Sequence, residues 1–375
     1  MVTGNCKFII FHVWLIITDS VYAFPAPLLR PFYPDCPAVA FGAIDGYDYF
    51  MNQHRGKILI AIPPARLPQG SVDRVKALSG REVVVSTNAA EIEKMIDTVE
   101  IAAGDLPFDL LPGASGLAWV QLWSAGGDII QKYPQLKTMP FTMTSTSGMH
   151  GPQMTEHLFG MLLSYARRFH LAFRAQPRHE WYRPKFEETI RLAGKSMLIL
   201  GYGAIGRDVA RAAKVFGMEV TGLRRNLPAG GMDGEGTAVK ASSELMNLLP
   251  GADFVVNILP LTPETENSIG KSFFEAMKTS GVYINIGRGK STDETALVGA
   301  LNAKTIAGAI LDVTREEPLP KDSPLWDMDN VLISGHYSGF TPDYDSQSMG
   351  IFLKNLEAYV KGEPLFNVID KVKGY

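Results

Sequence analysis

The sequence predicts an α/β protein built from two units, each with a parallel sheet. Short apolar segments alternate with helical patterns in two successive series, which is typical of strands joined by helical crossovers. One long helix with an apolar face is predicted between the two series. The chain has 375 residues, more than a single hydrophobic core usually organises, and this length favours two domains.

The first series starts near residue 57 and contains four strand candidates. Each is short and rich in aliphatic residues, as expected for a strand that is buried on both faces of a parallel sheet. A Pro-rich turn follows the first of them. The candidates are residues 57–62 (KILIAI), 82–86 (EVVVS), 99–102 (VEIA) and 117–121 (LAWVQ).

The connecting helix is predicted over residues 152–170, and a last helix over 345–361. The apolar residues of the connecting helix recur at helical spacing and form one face, which consists of Leu158, Met161, Leu162, Tyr165 and Phe169. Six further strand candidates follow at 197–200, 219–223, 254–259, 282–286, 307–311 and 331–334. Residues 228–236 (PAGGMDGEG) are predicted to be a short turn-rich loop.

The first 55 residues differ from the rest of the chain, and we expect them to lie outside the folded core. Lys7 precedes an apolar run over residues 8–18, and Val21-Tyr22-Ala23 resembles a signal-peptidase site, so residues 1–23 resemble a secretory signal. A non-native extension from a wrongly chosen start codon, or an apolar tail that lies on the fold, explains the same pattern.

Composition excludes several classes of function. The formal net charge is −3, so there is no basic excess for binding a nucleic acid backbone. The two cysteines, Cys6 and Cys36, precede residue 40, which removes thiol nucleophiles, cysteine-ligated metals and disulfides from the main body. No apolar run reaches the roughly 20 residues of a membrane span. The histidines form no HExxH-like pattern, so no metal site is predicted.

The motif GYGAIG at residues 201–206 predicts a dinucleotide site, because it follows a strand and opens a helix. Gly201 permits the tight turn, Gly203 allows the backbone to approach a pyrophosphate, and Gly206 allows close packing of helix and strand. The first turn of this helix, with Ala204 and Ile205, offers N–H groups to the phosphates. A glycine-rich turn without a ligand is the alternative.

The second strand of this unit ends in Arg224-Arg225, where an NAD-binding protein usually has an acidic residue. A guanidinium group can bind the 2′-phosphate of NADP, whereas a carboxylate would repel it. The pair therefore predicts a preference for NADPH over NADH. Two solvated arginines at the end of a strand are the alternative.

Three polar residues follow later strand candidates, where a parallel sheet forms its ligand crevice. His336 is a proton donor that titrates near neutral pH, and Glu317 would hold it and raise its pKa. Arg288 would bind a carboxylate and polarise the adjacent carbonyl. These are the groups that reduction of a ketone requires besides its cofactor. Taken singly, Arg288 and Glu317 are better explained as members of surface ion pairs, and it is their occurrence with His336 at successive strand ends that favours the functional interpretation.

Several ordered motifs together resemble the D-isomer-specific 2-hydroxyacid dehydrogenases, particularly the glyoxylate/hydroxypyruvate reductase branch. The resemblance covers residues 57–375. The motifs are HGPQMTEHLFGMLL, GYGAIGRDVARAAKVFGMEV, ILPLTPET, INIGRG, GAILDVTREEPLP and GEPLFNVIDKVKGY.

The resemblance implies two doubly wound parallel-sheet lobes. Residues 57–150 and 345–375 would form a flavodoxin-like substrate lobe, and residues 151–344 an inserted Rossmann lobe. It also implies NADPH-dependent reduction of a small 2-oxoacid to the D-2-hydroxyacid, with NADH as a second cofactor. A homodimer formed through the 152–170 helix is expected.

The resemblance further implies roles for individual residues. Arg288 corresponds to the substrate-binding catalytic arginine, Glu317 to the glutamate partner and His336 to the acid/base. Asp312 would contact the nicotinamide carboxamide, and Pro260 and Thr265 would lie in a loop beside the cofactor. The backbone of Ala125 and Gly126 would bind the substrate carboxylate.

The sequence departs from the family pattern around its histidine. Ser-Gly-His-Tyr-Ser-Gly stands where the family often has Thr-Pro-His-Ile-Ala-Gly, and the bulk of Tyr337 leaves substrate size open. A cytoplasmic location is expected, because NADPH is scarce outside cells. Two functional alternatives remain: a non-catalytic nicotinamide-sensing protein, like related transcriptional corepressors, and oxidation of formate or phosphite on the same fold.

Overall fold

A five-stranded parallel sheet forms the first unit of the chain. The computed structural model describes residues 56–225, 227 and 230–374, so the predicted leader, both cysteines and residues 228–229 lie outside the described residues. The strand order is β2-β1-β3-β4-β5, the flavodoxin-like order. The strands are β1 (Lys57–Ala61), β2 (Val83–Val85), β3 (Val99–Gly104), β4 (Trp119–Leu122) and β5 (Thr142–Thr144).

Three helices follow strands of this sheet within the first unit: α1 (Ser71–Ser79), α2 (Ala89–Glu93) and α3 (Ile129–Lys132). Four of the five strands are those predicted. The fifth, β5, was not predicted, because its sequence TMT carries no apolar run. Its middle and last residues are nevertheless buried, and Thr144 accepts a hydrogen bond from the indole of Trp119 at 2.7 Å.

Two helices connect the units, where the sequence predicted one. α4 (Gly151–Ala166) begins with a proline in its first turn and buries Leu158, Leu162 and Tyr165 of the predicted apolar face. Phe169 belongs to a separate helix, α5 (Phe169–Ala175), and is 48% exposed. The predicted single helix over 152–170 is therefore wrong at its C-terminal end. Arg168 adopts a left-handed backbone conformation (φ 62°), which no helix continues through, and its side chain donates a hydrogen bond to the Glu188 carbonyl at 2.7 Å.

An eight-stranded sheet forms the second unit. Its order is β13-β12-β11-β10-β6-β7-β9-β8, which contains the Rossmann order and extends it at both edges. The strands are β6 (Ser196–Leu200), β7 (Glu219–Arg224), β8 (Gly231–Met232), β9 (Ala238–Ala241), β10 (Phe254–Asn257), β11 (Val282–Asn285), β12 (Gly308–Leu311) and β13 (Val331–Ile333). The associated helices are α6 (Ala204–Val215), α7 (Leu245–Leu248), α8 (Lys271–Ala276) and α9 (Glu294–Asn302).

The predicted loop over 228–236 is also partly wrong, because β8 lies within it and pairs antiparallel with β9. Asp233 shapes the turn between these strands. One of its carboxylate oxygens accepts hydrogen bonds from the backbone N–H groups of Glu235 (3.0 Å) and Thr237 (2.8 Å). A side chain that hydrogen-bonds the backbone locally can replace the apolar pattern that usually marks a hairpin.

The last helix, α10 (Tyr344–Lys361), returns to the first sheet. Its buried face contacts residues of β1 and β4, and the rings of Phe352 and Trp119 lie 5.3 Å apart. Each sheet thus has apolar clusters on both faces, as a doubly wound fold requires. The α/β class with two doubly wound parallel-sheet lobes is confirmed, while the exact lobe boundaries stay a prediction.

Candidate active site

A cleft of about 1350 Å³ lies at the carboxyl ends of β4, β11 and β12. The loop after β4 forms one wall, and the loops after β11 and β12 form the other. The three residues proposed from the sequence as catalytic, Arg288, Glu317 and His336, all line this cleft. The topology therefore brings together side chains that are up to 48 positions apart in the chain.

His336 and Glu317 form a hydrogen-bonded pair. Nδ1 of His336 lies 2.7 Å from Oε2 of Glu317, and the other carboxylate oxygen accepts the backbone N–H of Thr314 at 3.1 Å. His336 has a left-handed backbone (φ 57°), and its N–H donates to the Asp312 carbonyl at 2.8 Å. Because Nδ1 is engaged by Glu317, the Nε2 atom is left to exchange a proton with a substrate.

The contact between His336 and Glu317 shifts the pKa of each side chain in the direction that stabilises the charged form of that side chain. The hydrogen bond that His336 donates to Glu317 raises the pKa of His336, against the opposing effect of partial burial. Burial by itself would raise the pKa of Glu317, but the hydrogen bond and charge of His336, with the Thr314 N–H, outweigh it and lower that pKa. His336 therefore holds its proton to a higher pH than a free imidazole.

Arg288 reaches across the cleft to the loop after β4. Its Nε donates a hydrogen bond to Oδ2 of Asp128, and its Nη1 donates to the Gly287 carbonyl at 2.8 Å. A Cβ atom on Gly126 would lie 2.1 Å from Nη2 of Arg288, so a residue larger than glycine would displace the guanidinium. Sequence analysis missed Asp128, because the sequence indicates only that this residue lies in a polar loop after a strand.

The loop at residues 125–127 presents backbone donors beside this guanidinium. Within the described part of the chain, the N–H groups of Ala125, Gly126 and Gly127 make no hydrogen bond. Gly127 is packed against the backbone of Gly374, since a Cβ there would lie 2.6 Å from the Gly374 carbonyl oxygen. Adjacent N–H groups next to an arginine are a suitable site for a carboxylate.

Asp312 lies beneath the loop that carries His336. Its side chain is 1% exposed, and its oxygens accept hydrogen bonds from the Ser334 hydroxyl (2.7 Å) and from the N–H groups of Tyr337 and Ser338 (both 3.2 Å). Nε2 of His157, on α4, lies 2.8 Å from the Ser334 hydroxyl. Asp312 thus fixes the loop, and its contact with a carboxamide stays a prediction. Sequence analysis missed His157.

The glycine loop has the geometry of a phosphate site. Gly201 has a left-handed φ of 84°, and a Cβ there would lie 2.8 Å from the Ile258 carbonyl oxygen, so a side chain cannot fit. α6 begins at Ala204 after Gly203, without a side-chain cap at its N-terminus. Its first N–H groups therefore fit a pyrophosphate, with Ile205 and Gly206 in the same turn.

The remaining residues predicted to contact the cofactor surround this loop. Arg224, the last residue of β7, and Arg225 directly after it are exposed, and Nη2 of Arg225 lies 3.9 Å from Oε2 of Glu264. The loop after β10 is held by Thr265, whose hydroxyl donates to the Pro260 carbonyl at 2.7 Å. These groups are placed around the carboxyl ends of β6, β7 and β10, as a Rossmann cofactor requires.

Comparison with known proteins agrees with this architecture. The sequence model of the D-isomer specific 2-hydroxyacid dehydrogenase NAD-binding domain matches residues 159–338. A glyoxylate reductase of Korarchaeum cryptofilum is 30% identical over 279 residues, which are 73% of this chain and 82% of that protein. This chain belongs to the D-isomer specific 2-hydroxyacid dehydrogenase family. The resemblance inferred from the sequence motifs, and the oxidoreductase class that it implies, are confirmed.

Two more similar proteins show the range of this similarity. A D-3-phosphoglycerate dehydrogenase of Methanocaldococcus jannaschii is 34% identical over 217 residues, which are 58% of this chain and only 41% of that protein. The crystal structure of an NADPH-dependent glyoxylate/hydroxypyruvate reductase of Sinorhizobium meliloti, in complex with NADP and sulfate, superimposes with a TM-score of 0.71. It is 26% identical and covers 85% of this chain and all of that one.

Membership of the dehydrogenase family defines the kind of cofactor but not the substrate. The matched domain binds a nicotinamide dinucleotide, and the glycine loop fits its pyrophosphate. Among the described residues, no group of three or more histidine, cysteine, aspartate and glutamate side chains could hold a metal ion. None of the helices that the structure describes is long and apolar enough to cross a membrane.

Proposed function

We propose that this protein reduces a small 2-oxoacid, similar to glyoxylate or hydroxypyruvate, to the D-2-hydroxyacid with NADPH. The observation that carries the proposal is that Arg288, Glu317 and His336 line one cleft, with His336 and Glu317 hydrogen-bonded. The names of relatives such as glyoxylate reductase support this substrate class. NADPH oxidation by the full chain with glyoxylate or hydroxypyruvate tests it, and no reaction with either acid would contradict it.

Arg288 and the loop at residues 125–127 would bind the substrate carboxylate. Nη2 of Arg288 lies next to Gly126, so one carboxylate can contact both the guanidinium and the adjacent backbone N–H groups. The positive charge then also stabilises the oxygen of the neighbouring carbonyl as negative charge develops on it. Binding through one carboxylate would place the reactive carbon near His336, which lines the same cleft.

His336 would donate the proton that completes the reduction. Its Nε2 gives a proton to the carbonyl oxygen, and Glu317 stabilises the imidazolium before that transfer. The nicotinamide, when bound, supplies the hydride. In the reverse direction the same nitrogen accepts the proton of the 2-hydroxyacid. The raised pKa of His336 keeps the imidazole protonated to a higher pH than a free imidazole, which suits the reductive direction.

NADPH is proposed over NADH because Arg224 and Arg225 are exposed at the end of β7. NADP in the structure of the Sinorhizobium meliloti reductase supports this preference in a related protein. We expect Arg224→Asp to lower the ratio of kcat/KM with NADPH to kcat/KM with NADH by roughly 100-fold or more, because a carboxylate repels the 2′-phosphate. Arg207→Asp, on the exposed surface of α6, is the matched control. An unchanged ratio in Arg224→Asp would exclude this role.

A homodimer is proposed through the helices that connect the units. α5 and the segment that follows it expose large aromatic side chains, of which Trp181 is 95% and Phe186 92% exposed. Aromatic surfaces of this kind usually become buried in an interface. Sedimentation equilibrium of the full chain is expected to give twice the 41.1 kDa chain mass, and Trp181→Glu to weaken association. A monomer at micromolar concentration would contradict the proposal.

A cytoplasmic location is proposed because the reaction consumes NADPH. The secretory alternative depends on residues 1–23, which lie outside the described residues. N-terminal sequencing of the protein from its own cells distinguishes the two. An N-terminus at Phe24 would show signal-peptide cleavage after Ala23 and contradict the cytoplasmic location.

A further inference from the structure

Asp128 contacts Arg288, the side chain that we propose binds the substrate carboxylate. It lies two residues after Gly126, directly before α3, and it accepts the hydrogen bond of Arg288 Nε. The Gly287 carbonyl accepts that of Nη1. Two of the three guanidinium nitrogens are thus held by the protein. Nη2 makes no hydrogen bond within the described chain and remains for a substrate carboxylate.

The same contact joins the two walls of the cleft. Asp128 belongs to the loop after β4 of the first sheet, whereas Arg288 follows β11 of the second. A second bond between the walls lies nearby, where the amide of Gln131 donates to the Leu261 carbonyl at 2.7 Å. The orientation of the guanidinium is therefore determined from both sides of the cleft.

Asp128 also changes the charge that a substrate meets. The carboxylate of Asp128 offsets Arg288, and Glu317 offsets protonated His336, so the four groups have no net charge. One carboxylate can be bound by Nη2 and the loop N–H groups, but no excess positive charge remains for a second.

We propose that Asp128 positions Arg288 and restricts the site to substrates with a single negative charge. The proposal rests on the proposed function, because it assigns the substrate carboxylate to Arg288. It makes Asp128 a positioning and specificity-determining residue, which acts through the guanidinium group. Substrates of this class are 2-oxoacids with one carboxylate and an uncharged remainder.

Two variants separate the charge of Asp128 from its hydrogen bond. Asp128→Asn keeps an acceptor for Arg288 Nε without the charge, whereas Asp128→Ala removes both. Oxamate and oxalate are suitable probes, because they have nearly the same shape but carry one and two negative charges at pH 7. Their dissociation constants are measured by calorimetry on the full chain saturated with NADPH, which requires no turnover.

We expect oxamate to bind the wild type more tightly than oxalate. Asp128→Asn should change the ratio of the two constants by about tenfold in favour of oxalate, because one nearby negative charge is removed. The kcat for glyoxylate should fall less in Asp128→Asn, which keeps an acceptor for Arg288, than in Asp128→Ala, which should lose about tenfold because the guanidinium loses its anchor. An unchanged ratio in Asp128→Asn overturns the proposal.

Asp322→Asn is the matched control. It removes one negative charge from the same cleft, but among the described residues Asp322 forms no hydrogen bond or ion pair with Arg288. We expect its oxamate-to-oxalate ratio to match the wild type, and an equal change in both variants would overturn the proposal. If no 2-oxoacid is reduced but the ratio changes only in Asp128→Asn, the proposed function fails and the charge restriction holds.

Discussion

Replacing His336 should lower kcat for 2-oxoacid reduction by roughly 10³-fold, the usual contribution of a positioned proton donor. The Kd of NADPH should stay close to that of the wild type, because His336 follows β13, whereas the glycine loop proposed to hold the pyrophosphate follows β6. His336→Asn is the preferred variant, since asparagine tolerates the left-handed backbone at this position and cannot donate a proton as an acid. Single-turnover measurement of NADPH oxidation separates this step from product release. A kcat within tenfold of wild type would contradict the assignment.

The same assignment predicts how the rate depends on pH. Reduction requires protonated His336, so kcat/KM should be high at low pH and should fall as pH rises through the raised pKa of this group. Glu317→Gln removes the carboxylate that raises that pKa, and the fall should then occur at lower pH. Glu316→Gln, the exposed neighbour, is the control and should leave the profile in place. A profile that Glu317→Gln leaves unchanged would argue against His336 as the acid.

Replacing Arg288 by alanine should lower kcat/KM for the 2-oxoacid by roughly 10³-fold or more, because one group both binds the carboxylate and stabilises the developing oxyanion. Arg288→Lys should recover only part of this loss, since an ammonium group cannot reproduce the directions of the guanidinium donors. The Kd of NADPH, measured by its fluorescence, should change little.

Stability of the Arg288 variants is the necessary control, because the alanine variant leaves Asp128 without its partner at the cleft wall. Thermal unfolding is therefore measured beside the kinetics. If Arg288→Ala unfolds near the wild-type temperature and retains kcat/KM, the substrate carboxylate is bound elsewhere.

The parts of the fold that the sequence predicted well are those with strong local signals. β1 and β6 are apolar runs buried on both faces, and the glycine loop combines a strand, a tight turn and a helix within a short segment. The parts that it missed depend on tertiary contacts. The break between α4 and α5 is fixed by a hydrogen bond from Arg168 to a distant carbonyl, and the β8–β9 turn by the side chain of Asp233.

The same distinction applies to the candidate site. Arg288, Glu317 and His336 could be proposed because each follows a predicted strand and has a reactive side chain. Asp128 and His157 could not, because their importance comes from partners 160 and 177 positions away in the chain. A polar residue in a loop or on a helix has no sequence signal for such a contact, and only the assembled cleft shows it.

The central claim is that this chain reduces a 2-oxoacid with NADPH through Arg288 and His336. The most direct measurement is NADPH oxidation by the purified full chain with glyoxylate, hydroxypyruvate, pyruvate, phenylpyruvate and 2-ketopantoate, with NADH in parallel. We predict turnover that is faster with NADPH, is greatest with a small 2-oxoacid, and is lost in Arg288→Ala and His336→Asn. Tight binding of NADPH without turnover of any acid would contradict the claim and favour a nicotinamide-sensing protein.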